Sequence, residues 1–207
     1  MADDCCNHKQ VELENAAVHA DQRRVLIIVL TINAIMFLVE FSAGVIAGSA
    51  ALMADSVDMM GDALVYALSL YALARSARWK AGAALAKGIF ILAFGLAVIV
   101  DIVVKLSSGV PPSSALMLVV GGLALAANLT CLALLWRFRS LDLNMASTFE
   151  CSRNDVISNA GVLVAAGAVW LLGAPWPDLL IGGLIAVLFL RSAFKVLGDA
   201  IPHLKAA

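Results

Sequence analysis

The stretch Val45-Ile46-Ala47-Gly48-Ser49-Ala50-Ala51-Leu52-Met53-Ala54-Asp55-Ser56-Val57-Asp58-Met59-Met60-Gly61-Asp62 decides the fold. It is apolar on both sides of a Gly48-Ser49 step. Such a step is a turn with no room for a loop, so the flanking segments form a tight helical hairpin. The stretch also carries three carboxylates in otherwise apolar surroundings. Each flank reaches the ~20 apolar residues that a membrane-crossing helix needs.

Working outward, six spans emerge, over residues 25–47, 49–74, 85–106, 113–136, 148–172 and 179–198. Pro111-Pro112 separates the third from the fourth, and Gly173-Ala174-Pro175-Trp176-Pro177-Asp178 separates the fifth from the sixth. The composition agrees. The 207 residues are 62% hydrophobic and 14% charged, against roughly 45–50% and about 25% in an ordinary soluble domain. Mean hydropathy is +0.96. These values exclude a disordered chain, a basic nucleic-acid-binding domain and a disulfide-stapled secreted domain. Of the cysteines, Cys5 and Cys6 precede the first span while Cys131 and Cys151 lie in helices, so no disulfide framework is implied. The Asn128-Leu129-Thr130 sequon falls mid-helix and reads as a chance match.

The first span is too long for a signal-peptide core and follows a polar stretch with no A-x-A-like cleavage site, so it reads as a retained helix. The expected organisation is a cytoplasmic N-terminal tail over 1–24, a six-helix domain over 25–198 and a short tail over 199–207. Lysine and arginine set the orientation. Of the 14 such residues, only Lys105 falls on the opposite side of a six-span zigzag from the others. A five- or seven-span reading destroys that asymmetry. The expectation is an all-α membrane protein with six transmembrane helices and both termini cytoplasmic.

A carboxylate at the centre of a bilayer helix costs about 2.5–3.5 kcal/mol on insertion scales. This chain holds Glu40, Asp55, Asp58, Asp62, Asp101, Glu150 and Asp155 in or near its spans. Asp101 and Glu150 sit near span ends and read as interfacial. Asp55 lies either on the outer boundary or on the face shared by Asp58. Glu40 is deeper, where a hydrogen bond to a neighbouring Asn or Ser would account for it. Asp58 and Asp62 are four apart and share a helix face one turn from each other. Two carboxylates so placed repel unless a cation or a proton intervenes. Cys151 and Asp155 repeat the spacing in the fifth span, with Asn159 one turn further. Two facing helices, each offering ligands at i and i+4, make a tetrahedral four-ligand site, the geometry zinc prefers. A calcium or magnesium cage would want more oxygens and no thiolate.

These residues resemble the cation diffusion facilitators. The resemblance rests on Gly48–Asp62 as quoted, on Asp155-Val156-Ile157-Ser158-Asn159-Ala160-Gly161-Val162-Leu163-Val164, on Asn33 with Glu40, and on Asp178. It covers residues 24–198. It implies a proton-coupled exporter of divalent transition metals, usually zinc, working as a homodimer of six-helix chains rather than as an enzyme. By motif position it implies Asp58, Asp62, Cys151 and Asp155 as metal ligands, with Asp55, Glu40 and Asn159 as accessory or proton-coupling candidates. The implied cargo is zinc first, then cadmium or another soft metal; no prosthetic group and no nucleic acid are implied. The expected location is a bacterial cytoplasmic membrane.

Three departures stand out. Cys151 occupies a position where the family often has His, which either softens the site or leaves the fourth place to water. The family's cytoplasmic metal-binding domain after the sixth helix is missing from this sequence, so dimerisation is expected to rest on helices. The 75–80 loop has no His or carboxylate, so an accessory site there is not expected. Cys5, Cys6 and His8, with His19 beyond, are candidates for capturing cytosolic metal; the alternative is a disordered tail with incidental thiols. A rival reading from another class is an intramembrane metal-dependent lipid phosphotransferase, which Asp55, Asp58 and Asp62 superficially suggest. Its Asp-Gly and Ala-Arg elements are missing.

Overall fold

The computed structural model describes residues 2–72, 77–140 and 143–205. Among them every regular element is a helix: α1 (Ala2–Ala47), α2 (Ala50–Ala72), α3 (Ala77–Ser108), α4 (Ser114–Trp136), α5 (Leu143–Leu172) and α6 (Trp176–Lys205). The six helices match the expected spans in number and order. Their bounds differ where the sequence offers nothing to stop a helix. α1 starts at Ala2, so the helix runs through the polar stretch that precedes the first apolar span. α3 and α5 begin several residues before their apolar segments. Residues with good helix propensity, Ala, Leu, Met, Lys and Arg among them, carry the backbone past the apolar segments. Cys5, Cys6, His8 and His19 lie on the extended part of α1, and their side chains lie outside the described residues. So does part of the 75–80 connection.

The Gly48-Ser49 turn is built as expected, and its chemistry is visible. Gly48 takes a positive φ of 68°. The Ser49 amide donates to the Gly44 carbonyl at 2.9 Å and the Gly48 amide to the Val45 carbonyl at 3.3 Å. These paired bonds close α1 with a Schellman motif, which needs a left-handed residue that glycine supplies without strain. The Ser113 amide donates to the Ala47 carbonyl at 2.9 Å and ties the start of α4 to the end of α1.

α1, α2, α5 and α4 pack in that order into a closed ring, with α1 also against α4. α6 lies against α2 and α5, and α3 packs broadly on α6 and also touches α2. α2 is therefore the central helix, packed against α1, α3, α5 and α6. Among the described residues, four segments are long and apolar enough to cross a bilayer: Ala20–Ala47, Gly88–Ser108, Ser114–Trp136 and Thr148–Leu172. α2 carries Asp55, Asp58 and Asp62, and α6 carries Asp178, Arg191 and Lys195. Central placement reconciles α2 with the membrane, because its carboxylates face protein rather than lipid.

The apolar residues divide accordingly. Ala50, Ala51, Leu52, Val57, Met59, Met117 and Val162 are sealed inside. Leu38, Ile46, Val103, Val119, Val164 and Trp170 are exposed, as expected of a lipid-facing surface. The chain is an all-α, multi-pass integral membrane protein. Lys105, the exception in the charge pattern, pairs with Asp101 one turn earlier at 2.5 Å. Asp101 thus sits near the end of α3, as expected, with its charge matched. Glu150 is exposed and pairs with Arg153, which fits its interfacial reading.

Candidate metal centre

The helices bring the two i, i+4 pairs together. Asp58 and Asp62 on α2 and Cys151 and Asp155 on α5 line a single cavity of about 390 Å³. α6 supplies the third wall through Ile185, Leu188 and Phe189, which the sequence reading did not anticipate. Asn154 and Ser158 complete a polar stripe on α5 beside Cys151 and Asp155. Asp155 is 3% exposed and Asp62 8%, while Asp58 and Cys151 are half-buried. Asp155 lies within electrostatic reach of Asp62, Asp58 and Asp55, so the lining concentrates negative charge. Such a cavity favours a cation. Among the described residues no three His, Cys, Asp or Glu side chains stand close enough to hold a metal ion together as they are. The four side chains share one space without forming a closed coordination shell.

The accessory candidates sit deeper. Glu40 is fully buried and Asp55 is 1% exposed, so both side chains are enclosed by the protein. Glu40 is not answered by an Asn or Ser, as expected from the sequence. The Asp55 carboxyl lies within electrostatic reach of it, and neither Glu40 oxygen has a hydrogen-bond partner among the described residues. Asn159 is buried and its side-chain amide donates to the Asp155 backbone carbonyl one turn earlier at 2.9 Å. Asn33, fully interior on α1, donates to the Val29 carbonyl and approaches the Cys131 sulfur at 4.0 Å. Asn128, the sequon residue, is buried in α4, where no glycan can reach it.

Asp178 has a role that its family counterpart alone did not reveal. It is fully buried. It accepts hydrogen bonds from the Ser49 hydroxyl (2.6 Å), the Ala50 amide (2.7 Å) and the Ala51 amide (3.1 Å). Ser49 Oγ in turn accepts from the Leu52 amide at 3.1 Å. The first amides of a helix have no partner within it. Here Ser49 caps one of them and a carboxylate from α6 caps two more. The available signal was a lone Asp immediately before an apolar span, paired with a Ser at a helix start.

Comparison with known proteins agrees with this architecture. Residues 26–204 match the family model described as the cation efflux transmembrane domain. The chain is 25% identical over 198 residues to the metal cation efflux system protein CzcD of Cupriavidus metallidurans, covering 86% of this chain and 63% of that one. The same figures hold for the cation efflux system protein CzcD of an Alcaligenes species. The chain thus spans less than two thirds of the length of these relatives. With six helices in this order and a family match reaching nearly end to end, the chain belongs to the cation efflux transmembrane domain family.

Proposed function

We propose that the chain exports a divalent transition-metal cation by alternating access, with protons moving the opposite way. The observation that carries this reading is the cavity shared by Asp58, Asp62, Cys151 and Asp155. Zinc is the first candidate cargo, because mixed thiolate and carboxylate ligands in a four-fold set suit it. Cadmium or another soft metal is the second. Metal ligands must be deprotonated, so loading releases protons and proton return releases metal. α5 closes on α2 to complete the shell, then the assembly rocks to expose the other side. Asn159 and the Glu40–Asp55 pair serve as accessory or proton-coupling groups beside the site. The protein works in the bacterial cytoplasmic membrane, in keeping with the bacterial relatives, and as a homodimer through its helices. Cys5, Cys6 and His8 capture metal at the entrance.

The phosphotransferase reading loses its support once the family is known. In reconstituted vesicles, a zinc gradient should drive proton flux through the wild-type chain. Asp62→Ala should abolish that flux; undiminished flux in the variant would overturn the site assignment. Deleting residues 1–20 should weaken uptake only at low metal concentration.

A further inference from the structure

We propose that the seam between α1, α4 and α5 holds bound water at a buried site built by Asn33, Asn128, Ser152 and Asn159, and that this water reaches Asp155 from the side of α5 turned toward α4. The site is distinct from the metal cavity and goes beyond the transport reading above.

The register of α4 against α5 brings these residues together. The two helices follow each other in the chain and pack along each other. Two contacts set them antiparallel. A Cβ at Gly121 would stand 3.4 Å from a Val162 methyl, and the Trp136 and Phe149 rings lie 5.5 Å apart. Every step along α4 is therefore matched by a step back along α5. Seven residues on from Gly121 is Asn128, and seven back from Val162 is Asp155. By the same count Cys131 falls level with Ser152, and Ala124 with Asn159. Gly121, Ala124, Asn128 and Cys131 form one buried stripe on α4. Ser152, Asp155, Asn159 and Val162 form the facing stripe on α5. α1 closes the third side, where Asn33 Nδ2 stands 4.0 Å from the Cys131 sulfur. Cys131 in turn lies within electrostatic reach of Asp155.

The polar groups of this seam are not matched to one another. Among the described residues, six enclosed atoms here have no hydrogen-bond partner: Asn33 Oδ1, Asn128 Oδ1 and Nδ2, Ser152 Oγ, Asp155 Oδ2 and Asn159 Oδ1. None of their residues is more than 3% exposed. Asn33 and Asn159 each donate the amide nitrogen to a backbone carbonyl one turn earlier in their own helix, at 3.0 and 2.9 Å. That fixes both side chains and leaves their oxygens open. Leaving buried amides and hydroxyls unpaired is costly, and those without a protein partner are ordinarily met by ordered water.

Water fits the set because it donates and accepts at once. The open oxygens of Asn33, Asn159 and Asp155 need donors, the Asn128 NH2 group needs an acceptor, and the Ser152 hydroxyl takes either role. A metal ion would use the oxygens alone and leave the Asn128 NH2 group unmet. The small side chain of Ala124, level with Asn159, leaves room. A buried water typically makes about three hydrogen bonds, so six atoms suit about two molecules. Asn33, Asn128, Ser152 and Asn159 are not among the residues that line the metal cavity, while Asp155 is. Asp155 therefore meets polar surroundings on two sides. Asn128 also gains a use that its sequon does not supply.

The test is water-edited solid-state NMR on the isotope-labelled full chain in lipid vesicles, with no metal added. Magnetisation passes from water protons to protein nitrogens. Asn154, exposed on the cavity wall, is the wet reference, and the backbone amide of the fully buried Met117 is the dry one. The side-chain nitrogens of Asn33, Asn128 and Asn159 should build up signal at the rate of Asn154. Build-up at the rate of Met117 would overturn the proposal. Asn128→Leu puts an apolar side chain of similar size into the seam. Fast transfer to Asn33 and Asn159 should then be lost while Asn154 keeps it, and fast transfer that survives would remove the water from this seam. Asn128→Ser, which keeps room and a hydroxyl, should retain the transfer. If Asn128→Leu does not fold, the wild-type rates decide alone. The measurement uses neither metal nor flux, so failure of the transport reading leaves its outcome standing.

Discussion

Phe189 of α6 rests on Gly61 of α2: a methyl group added at Gly61 would stand 2.9 Å from the ring's Cε2 atom. The ring is the far end of a side chain and can turn, but the space open to it is the cavity lined by Asp62 and Asp155. Gly61→Ala should therefore crowd the cavity without unfolding the protein. We expect metal flux to fall about three- to tenfold, with the loss of stability held to the ~1–3 kcal/mol typical of overpacking. Phe189→Leu in the same chain should recover most of the flux. Flux assays on the single and double variants check this.

Cys151 is half-buried on the cavity wall, one turn before Asp155. If its sulfur ligates, exchange for oxygen should weaken soft metals more than hard ones. Cys151→Ser should lower cadmium affinity by more than tenfold relative to its effect on manganese or cobalt, a ratio set by about 1.4 kcal/mol per decade. Cys151→His should retain zinc. Equal loss for all metals would remove the thiolate from the ligand set. Isothermal titration of the purified protein with each metal provides the measurement.

Glu40 and Asp55 confront each other in the interior with no donor at either Glu40 oxygen. Buried groups of this kind subtract from stability, and apolar replacements of similar size often add to it. Glu40→Met should raise the midpoint of thermal unfolding by about 2–4 °C for a chain of this size while reducing proton-coupled flux. A variant more stable yet equally active would show the pair to be dispensable. Differential scanning fluorimetry beside a vesicle assay separates the two readouts.

The Asp21–Arg137 pair offers a contrast. Its side chains are mostly exposed and 2.9 Å apart. Surface ion pairs are worth about 0–1 kcal/mol. Arg137→Ala should therefore shift neither thermal stability nor flux measurably, and a large loss would assign α1's polar extension a docking role.

Much of this was legible in the sequence, for identifiable reasons. The hairpin at Gly48-Ser49, the six helices and the meeting of Asp58, Asp62, Cys151 and Asp155 in one cavity follow from local spacing and from the cost of charge in lipid. What escaped depends on which helix lies beside which. The enclosure of Asp55 beside Glu40 needs α1 next to α2. The capping role of Asp178 needs the start of α6 against the start of α2. Nothing in the spacing of Ile185 and Phe189 marks them as cavity wall. Helix ends escaped as well, because helix-forming residues outside the apolar cores extend α1, α3 and α5.

The Asp101–Lys105 pair bears on how such a chain is made. In the orientation set by the other basic residues, the α3–α4 turn is the end carried across the bilayer. An unmatched lysine there would oppose its translocation. The thirteen basic residues on the other side outweigh it and keep the orientation single. The aspartate one turn earlier matches the lysine's charge once the turn has crossed, so the pair settles the lysine at the membrane edge without setting the direction of insertion.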